Sequence, residues 1–159
     1  MYSLCSAVFM SYPCGTNWGM TDKRIEWLEG IATAIGVTIK YEPTGSRLRG
    51  YYHHRERIIV ISPSLTTAHT VGTLAHELVH ALHGHDGPQP RSIEMRVDRL
   101  AARMLVVPSE YEEAERLYGP HAGAIAKELD LPRWVVRAWQ EQAKNSRFSD
   151  LVEPLQNLG

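Results

Sequence analysis

The chain has 159 residues, of which 43% are hydrophobic, and a formal net charge of −1 with neutral histidines. This length accommodates one domain with its own core, and the near-zero charge argues against a nucleic-acid partner, because nucleic-acid-binding proteins usually carry a basic field. No apolar run approaches membrane-spanning length, so we expect no membrane partner either. Cys5 and Cys14 form no Cys-x-x-Cys pair, which favours a reducing compartment. Because no signal peptide is recognisable, we expect a cytoplasmic protein.

The first half of the chain is predicted to form an irregular arm, one helix and a small sheet. Residues 1–20 show no hydrophobic period and are rich in Gly, Pro, Asn and Ser, so we assign them to the arm. Apolar residues spaced three or four apart then predict a helix over 21–35. Segments rich in β-formers predict strands over 37–41, 48–53 and 57–61, the last two as a hairpin.

The second half is predicted to be helical. Apolar periodicity, interrupted by Gly and Pro, predicts helices over about 66–83, 92–106, 109–118, 121–129 and 133–144. Ser109 is expected to open the third of these with a capping box. The predicted fold class is α+β, mainly helical, with a small three-stranded antiparallel sheet packed on the first of these helices and short helices at the C-terminus. Residues 21–145 are expected to form a single domain, followed by a loose tail over 146–159.

The first of these helices contains the motif His76-Glu77-x-x-His80. Residues four apart lie on the same face of a helix, so both imidazoles can hold one metal ion, with the Glu77 carboxylate beside them to take a proton from an attacking water. Neutral imidazole suits zinc, which in a catalytic site needs a third protein ligand and an open position. The alternative is a chance match on an ordinary amphipathic helix. The apolar flanks favour a site for one Zn²⁺ per chain, with Glu77 as the catalytic base.

Glu94 is the preferred third ligand. Glu94 and Asp98 are four apart on a predicted helix, so they face the same way. In this arrangement Glu94 binds the metal while Asp98 accepts a hydrogen bond from the far ring nitrogen of His76 or His80, which orients that ligand. The alternative interpretation of both carboxylates is a solvated helix face.

Three other residues are alternative third ligands. Asp86 lies ten residues after His76, where one class of zinc proteases has its third ligand, but that class also has a Gly where His83 stands here. His83 and His85 follow the motif directly, yet one straight helix does not easily wrap three ligands around one ion. Histidine also suits the negative end of a helix dipole, which explains His83 and His85 without a metal.

These motifs together resemble the ImmA/IrrE metallopeptidases, over roughly residues 22–145. The matching positions are Ala75, His76, Glu77, Leu78, His80, Glu94, Asp98, Ala101, Ala102, Leu105 and Pro108, with Ile58–Ile61 before them and 125–136 after them. The chain departs from the family at Val79, where a small residue is usual, and at Leu100, where an aromatic is frequent. The resemblance implies that His76, His80 and Glu94 bind zinc and that Glu77 is the base. It also implies a protein substrate, since relatives cleave helix-turn-helix repressors of mobile elements or stress regulons. The sequence does not indicate an oligomeric state.

Four consecutive residues are candidates to stabilise the developing oxyanion, and the sequence does not choose among them. Tyr51, Tyr52, His53 and His54 carry donors at the end of the predicted strand over 48–53 and at the start of the turn that follows it. The edge of such a strand often lines a peptide cleft, and an extended substrate could pair with it as an added strand.

A non-catalytic regulatory module with a structural zinc is the competing function. Arg133, Arg137, Trp134 and Trp139 on the last predicted helix would dock a repressor or DNA. The simpler interpretation makes the tryptophans core anchors and the arginines solvated. Glu77 favours the enzyme, because a structural zinc site closes with four protein ligands and needs no base.

Overall fold

The computed structural model describes residues 21–45 and 48–156, with the side chains of residues 23–45 and 48–144. The predicted arm over 1–20, with Cys5 and Cys14, lies outside the described residues. The elements in chain order are α1 (Thr21–Ala34), β1 (Thr38–Tyr41), β2 (Gly50–His53), β3 (Ile58–Ile61), α2 (Thr67–His83), α3 (Arg91–Leu105), α4 (Pro108–Tyr118), α5 (Ala122–Glu128) and α6 (Arg133–Gln156). None of the helices within these ranges is long and apolar enough to cross a membrane.

The described residues fall into two compact units that divide at Gln89 and Pro90. The first contains α1, the sheet and α2, and the second contains the four helices α3 to α6. A single domain over 21–145 therefore stays a prediction.

The sheet is mixed, so the prediction of an antiparallel sheet was wrong. Its strand order is β1-β3-β2. The predicted hairpin is present, because β2 and β3 pair antiparallel with Tyr52 opposite Ile59. However, β1 pairs with β3 in parallel, with Ile39 opposite Ile59.

Burial explains this strand order. β3 is the continuous apolar run Ile58–Ile61, and its last three residues are buried. Such a run is typical of a strand covered on both faces, which belongs in the middle of a sheet. β2 alternates and β1 is mostly exposed, so both suit the edges. A simple meander would have placed β2, which has a single buried residue, at the centre.

The core of the first unit lies between α2, α1 and the sheet. Val71, Leu74 and Leu78 of α2 are fully buried, as are Ile59 and Ile61 of β3. The apolar residues of α2 recur three or four positions apart, so burying them leaves one face of the same helix to carry polar side chains.

The second unit follows the predicted helices with two differences. α4 begins at Pro108, with Val107 at the N-cap and no side-chain capping bond, so the predicted Ser109 capping box was wrong. Proline suits the first helical position, because its missing N–H would have no partner there in any case. The sequence predicts that α6 ends near residue 144, but the helix continues to Gln156. No glycine or proline interrupts residues 145–153, so nothing in that segment breaks the helix.

Candidate metal centre

Helix α2 is well defined at both ends. At its start the Thr66 side chain accepts a hydrogen bond from the backbone N–H of His69 at 3.4 Å. At its end Gly84 adopts the left-handed conformation, with φ 64° and ψ 29°. The left-handed backbone conformation favours glycine, and a glycine in this conformation is a common way to end a helix. The motif therefore lies within a regular helix, as the sequence predicts.

The two motif histidines direct the same ring atom to one point. The Nε2 atoms of His76 and His80 lie 3.0 Å apart, and their ring centroids are 4.8 Å apart. Two nitrogens bound to one zinc ion at about 2.0–2.1 Å, in tetrahedral geometry, are about 3.3–3.4 Å apart. A slight opening of the pair would fit the ion. His80 is buried and His76 half-buried, so the pair lies at the boundary between core and surface.

Glu77 is the only buried acidic side chain in the described part of the chain. It follows His76 directly on α2 and is 9% exposed. Burying a carboxylate costs free energy unless it is paired or serves a site, so ionisable residues in such places are functional candidates. This burial supports the predicted role of Glu77 without testing it.

The third candidate ligand comes from α3. His76, His80 and Glu94 each offer one ligand atom, and these atoms all lie within 4.8 Å of one another. Two imidazole nitrogens and one carboxylate oxygen are the donor set of catalytic zinc sites that keep an open position. Asp98 lies one helical turn beyond Glu94 and is half-buried. Its predicted hydrogen bond to a ligand histidine stays a prediction.

The alternative ligands do not join such a cluster. No other group of three or more His, Cys, Asp or Glu residues placed to hold an ion occurs among the residues that the structure describes. The His83 Nδ1 lies 2.9 Å from the Val79 carbonyl oxygen, so it donates to the helix backbone. Asp86 is exposed, and its carbonyl oxygen accepts a hydrogen bond from the Gln89 side chain at 3.2 Å.

His85 makes a contact that the sequence analysis did not foresee. Its ring Nδ1 lies 3.0 Å from the Nδ1 of His80, the nitrogen of that ring that is directed away from His76. The available signal was Gly84, since a glycine cap turns the next residue back towards the last turn of the helix. From the sequence alone, His85 is expected to be either a metal ligand or part of a polar helix end.

The four candidate oxyanion donors separate into two pairs. Tyr52 is buried, and its hydroxyl lies 3.5 Å from the Nδ1 of His54. A Cβ added to Gly84 would lie 3.6 Å from the Cε1 of His54, so this pair lies beside the C-terminal end of α2. Tyr51 and His53 are exposed on the other face of β2, and the His53 Nδ1 accepts the Glu56 N–H at 3.4 Å.

A His-Glu-x-x-His helix beside a small sheet, with a carboxylate that completes the ligand set, is typical of metal-dependent peptidases. The sequence pattern of the IrrE N-terminal-like domain, a peptidase family, matches residues 32–137, and the chain belongs to this family. A search of curated proteins found no match.

Proposed function

We propose that the chain is a zinc-dependent endopeptidase in which His76, His80 and Glu94 bind the metal and Glu77 is the catalytic base. The observation that carries the proposal is the convergence of three ligand atoms within 4.8 Å of one another, next to a buried carboxylate. The membership of the chain in a peptidase family supports the reaction class.

The protein residues have distinct roles in this proposal. A bound zinc ion would supply a Lewis acid that polarises the scissile carbonyl and lowers the pKa of water. The Glu77 carboxylate takes a proton from the attacking water and passes it to the leaving amine. The buried Tyr52 hydroxyl, supported by His54, is the better placed donor for the developing oxyanion, because Tyr51 and His53 face away from the core on the same strand.

The substrate is proposed to be a protein segment in extended conformation. β2 is an edge strand of the sheet, so its outer edge has backbone donors and acceptors that can pair with a peptide. The residues of β2 also include the candidate donor Tyr52, and His54 follows the strand directly, so both would lie close to a peptide bound there. A helix-turn-helix repressor of a mobile element or stress regulon is the proposed substrate, on the strength of the family resemblance.

A purified repressor incubated with the zinc-loaded chain tests this function. The repressor encoded beside the gene is the probe, and mass spectrometry detects its fragments. We expect the wild type to cleave it and Glu77→Gln to lose activity by at least about 10²-fold, because the amide keeps the shape but cannot take a proton. Glu77→Gln should bind zinc as the wild type does. Equal cleavage by both proteins would contradict the assignment of the base.

The last helix offers little support for the competing docking function. The ring of Trp139 lies 6.0 Å from that of Tyr111, centroid to centroid, so Trp139 packs within its own unit, and Trp134 is half-buried. Arg133 and Arg137 are exposed. Suppose that Glu77→Gln released the repressor from its DNA as well as the wild type does. The chain would then be interpreted as a binding module and not as an enzyme.

A further inference from the structure

We propose that His85 is a positioning residue for the metal ligand His80. Its ring Nδ1 accepts a hydrogen bond from the Nδ1–H of His80 and so holds His80 in the tautomer whose Nε2 can bind zinc. The inference rests on the proposed metal site, and it assigns to His85 a role distinct from that of a ligand.

Two separate bonds connect His85 to His80. The Nδ1 atoms of the two rings lie 3.0 Å apart, and the rings are edge to face at an interplanar angle of 69°. In addition, the backbone N–H of His85 donates to the carbonyl oxygen of His80 at 3.0 Å. The backbone bond fixes where the His85 side chain begins, so the ring contact needs only the side-chain torsions to be set.

Gly84 makes this arrangement possible. Its left-handed conformation, together with the bond from its N–H to the Ala81 carbonyl oxygen at 3.2 Å, completes a Schellman cap. In this cap the residue after the glycine returns to the residue five positions earlier. That pair here is His85 and His80, so the end of the helix directs the second imidazole onto the ligand.

The chemistry of neutral imidazole determines which ring donates in the hydrogen bond between His80 and His85. A ligand nitrogen cannot carry a proton, so when the Nε2 of His80 binds metal, its single proton is on Nδ1 and is donated. The Nδ1 of His85 must then accept, which places the proton of His85 on its Nε2. Acceptors on the far nitrogen of a ligand histidine fix its tautomer and orientation and raise its basicity.

The neighbours of His85 are consistent with this role. The ring of His83 stacks on that of His85 at 28°, with centroids 5.5 Å apart, and its Nδ1 is held by the Val79 carbonyl oxygen. His83 thus limits the rotation of the His85 ring. Because His85 occupies the Nδ1 of His80, we expect the hydrogen bond predicted for Asp98 to come from His76.

Zinc affinity measured by competition with a chromophoric chelator tests the inference on the full chain. His85→Ala removes the acceptor and should weaken zinc binding about 10–100-fold. His85→Asn places a carbonyl oxygen where Nδ1 stands and should recover most of the affinity. His69→Ala is the matched control, since His69 lies on the same helix as His80, seven residues before His76, and its Nδ1 is 2.8 Å from the Thr66 hydroxyl. It should bind zinc as the wild type does.

The outcomes separate this inference from the proposed function. If the wild type bound no zinc, the metal site itself would be refuted. If the wild type bound zinc and His85→Ala bound it equally tightly, only the role of His85 would be refuted. Equal losses in His85→Ala and His85→Asn would also refute it, because they would assign the effect to ring packing.

A measurement on the wild type alone avoids any folding defect of the variants. The ¹⁵N–¹H correlation pattern of the histidine rings in the zinc-loaded chain reports which nitrogen carries each proton. We expect His80 protonated at Nδ1 and His85 at Nε2. Protonation of His85 at Nδ1 would reverse the bond and contradict the inference.

Discussion

Gly50 tests how closely the edge strand β2 must approach helix α2. It opens β2, and an added Cβ would lie 2.8 Å from the Val60 carbonyl oxygen, 2.9 Å from the Thr73 Cγ2 and 3.0 Å from the Ile61 Cδ1. The φ angle of Gly50 is not positive. The need for glycine is therefore one of space, and Gly50→Ala measures it directly.

The contacts determine the size of the effect. The Val60 carbonyl belongs to the central strand and cannot withdraw without shifting it. The Thr73 Cγ2 is the methyl of a β-branched side chain on α2, three residues before His76, and its χ1 has few alternatives inside a helix. Overpacking a filled site typically costs about 1–3 kcal/mol. Because two of the three neighbours are held by the sheet and the helix, we expect Gly50→Ala to lower the free energy of unfolding by about 3 kcal/mol. For a chain of this size that corresponds to a Tm about 6–12 °C lower.

Thermal unfolding followed by circular dichroism measures this change, with Gly30→Ala as the matched control. Gly30 lies within α1, and a Cβ added there would meet nothing within 4 Å. Alanine is better than glycine inside a helix by about 0.8–1.0 kcal/mol, so this variant should be more stable than the wild type. Replacing glycine by alanine is thus expected to lower the free energy of unfolding at position 50 and to raise it at position 30.

A Gly50→Ala protein as stable as the wild type would refute the close packing of β2 on α2. A loss of stability in Gly30→Ala comparable to that in Gly50→Ala would also refute the reasoning, since it would show a general cost of the substitution. Peptide cleavage by Gly50→Ala should fall as well, because the edge strand proposed to bind substrate would be displaced from the metal helix.

Further predictions concern the metal. Equilibrium dialysis with metal analysis should find one zinc per chain in the wild type and none in His76→Ala, His80→Ala or Glu94→Ala. Asp86→Ala should keep its zinc. If Asp86→Ala lost zinc and Glu94→Ala kept it, Asp86 would be the third ligand instead of Glu94. Asp98→Ala should weaken zinc binding about 10–100-fold in a chelator competition assay, and Asp98→Asn less, because the amide retains an acceptor oxygen. Unchanged affinity and activity in Asp98→Ala would make this residue part of a solvated helix face.

Local sequence patterns were sufficient to predict the elements that carry the site. The apolar period predicts α2 almost to the residue, with Thr66 and Gly84 at its ends, and the helix continues through Gly72. The four-residue spacing of His76 and His80 then requires that their side chains share a face. These features depend on interactions between residues that are close in the chain, and the local sequence pattern is sufficient to predict them.

The pairing of β1 with β3 depends instead on competition between segments far apart in the chain. Each strand is recognisable alone, but the central place goes to the strand that can be buried on both faces, and only the packed sheet shows which one that is. The contact of His85 with His80 has a similar origin. The glycine cap is visible in the sequence, yet which ring nitrogen His85 meets depends on side-chain torsions set by its packed neighbours, the stacked ring of His83 among them.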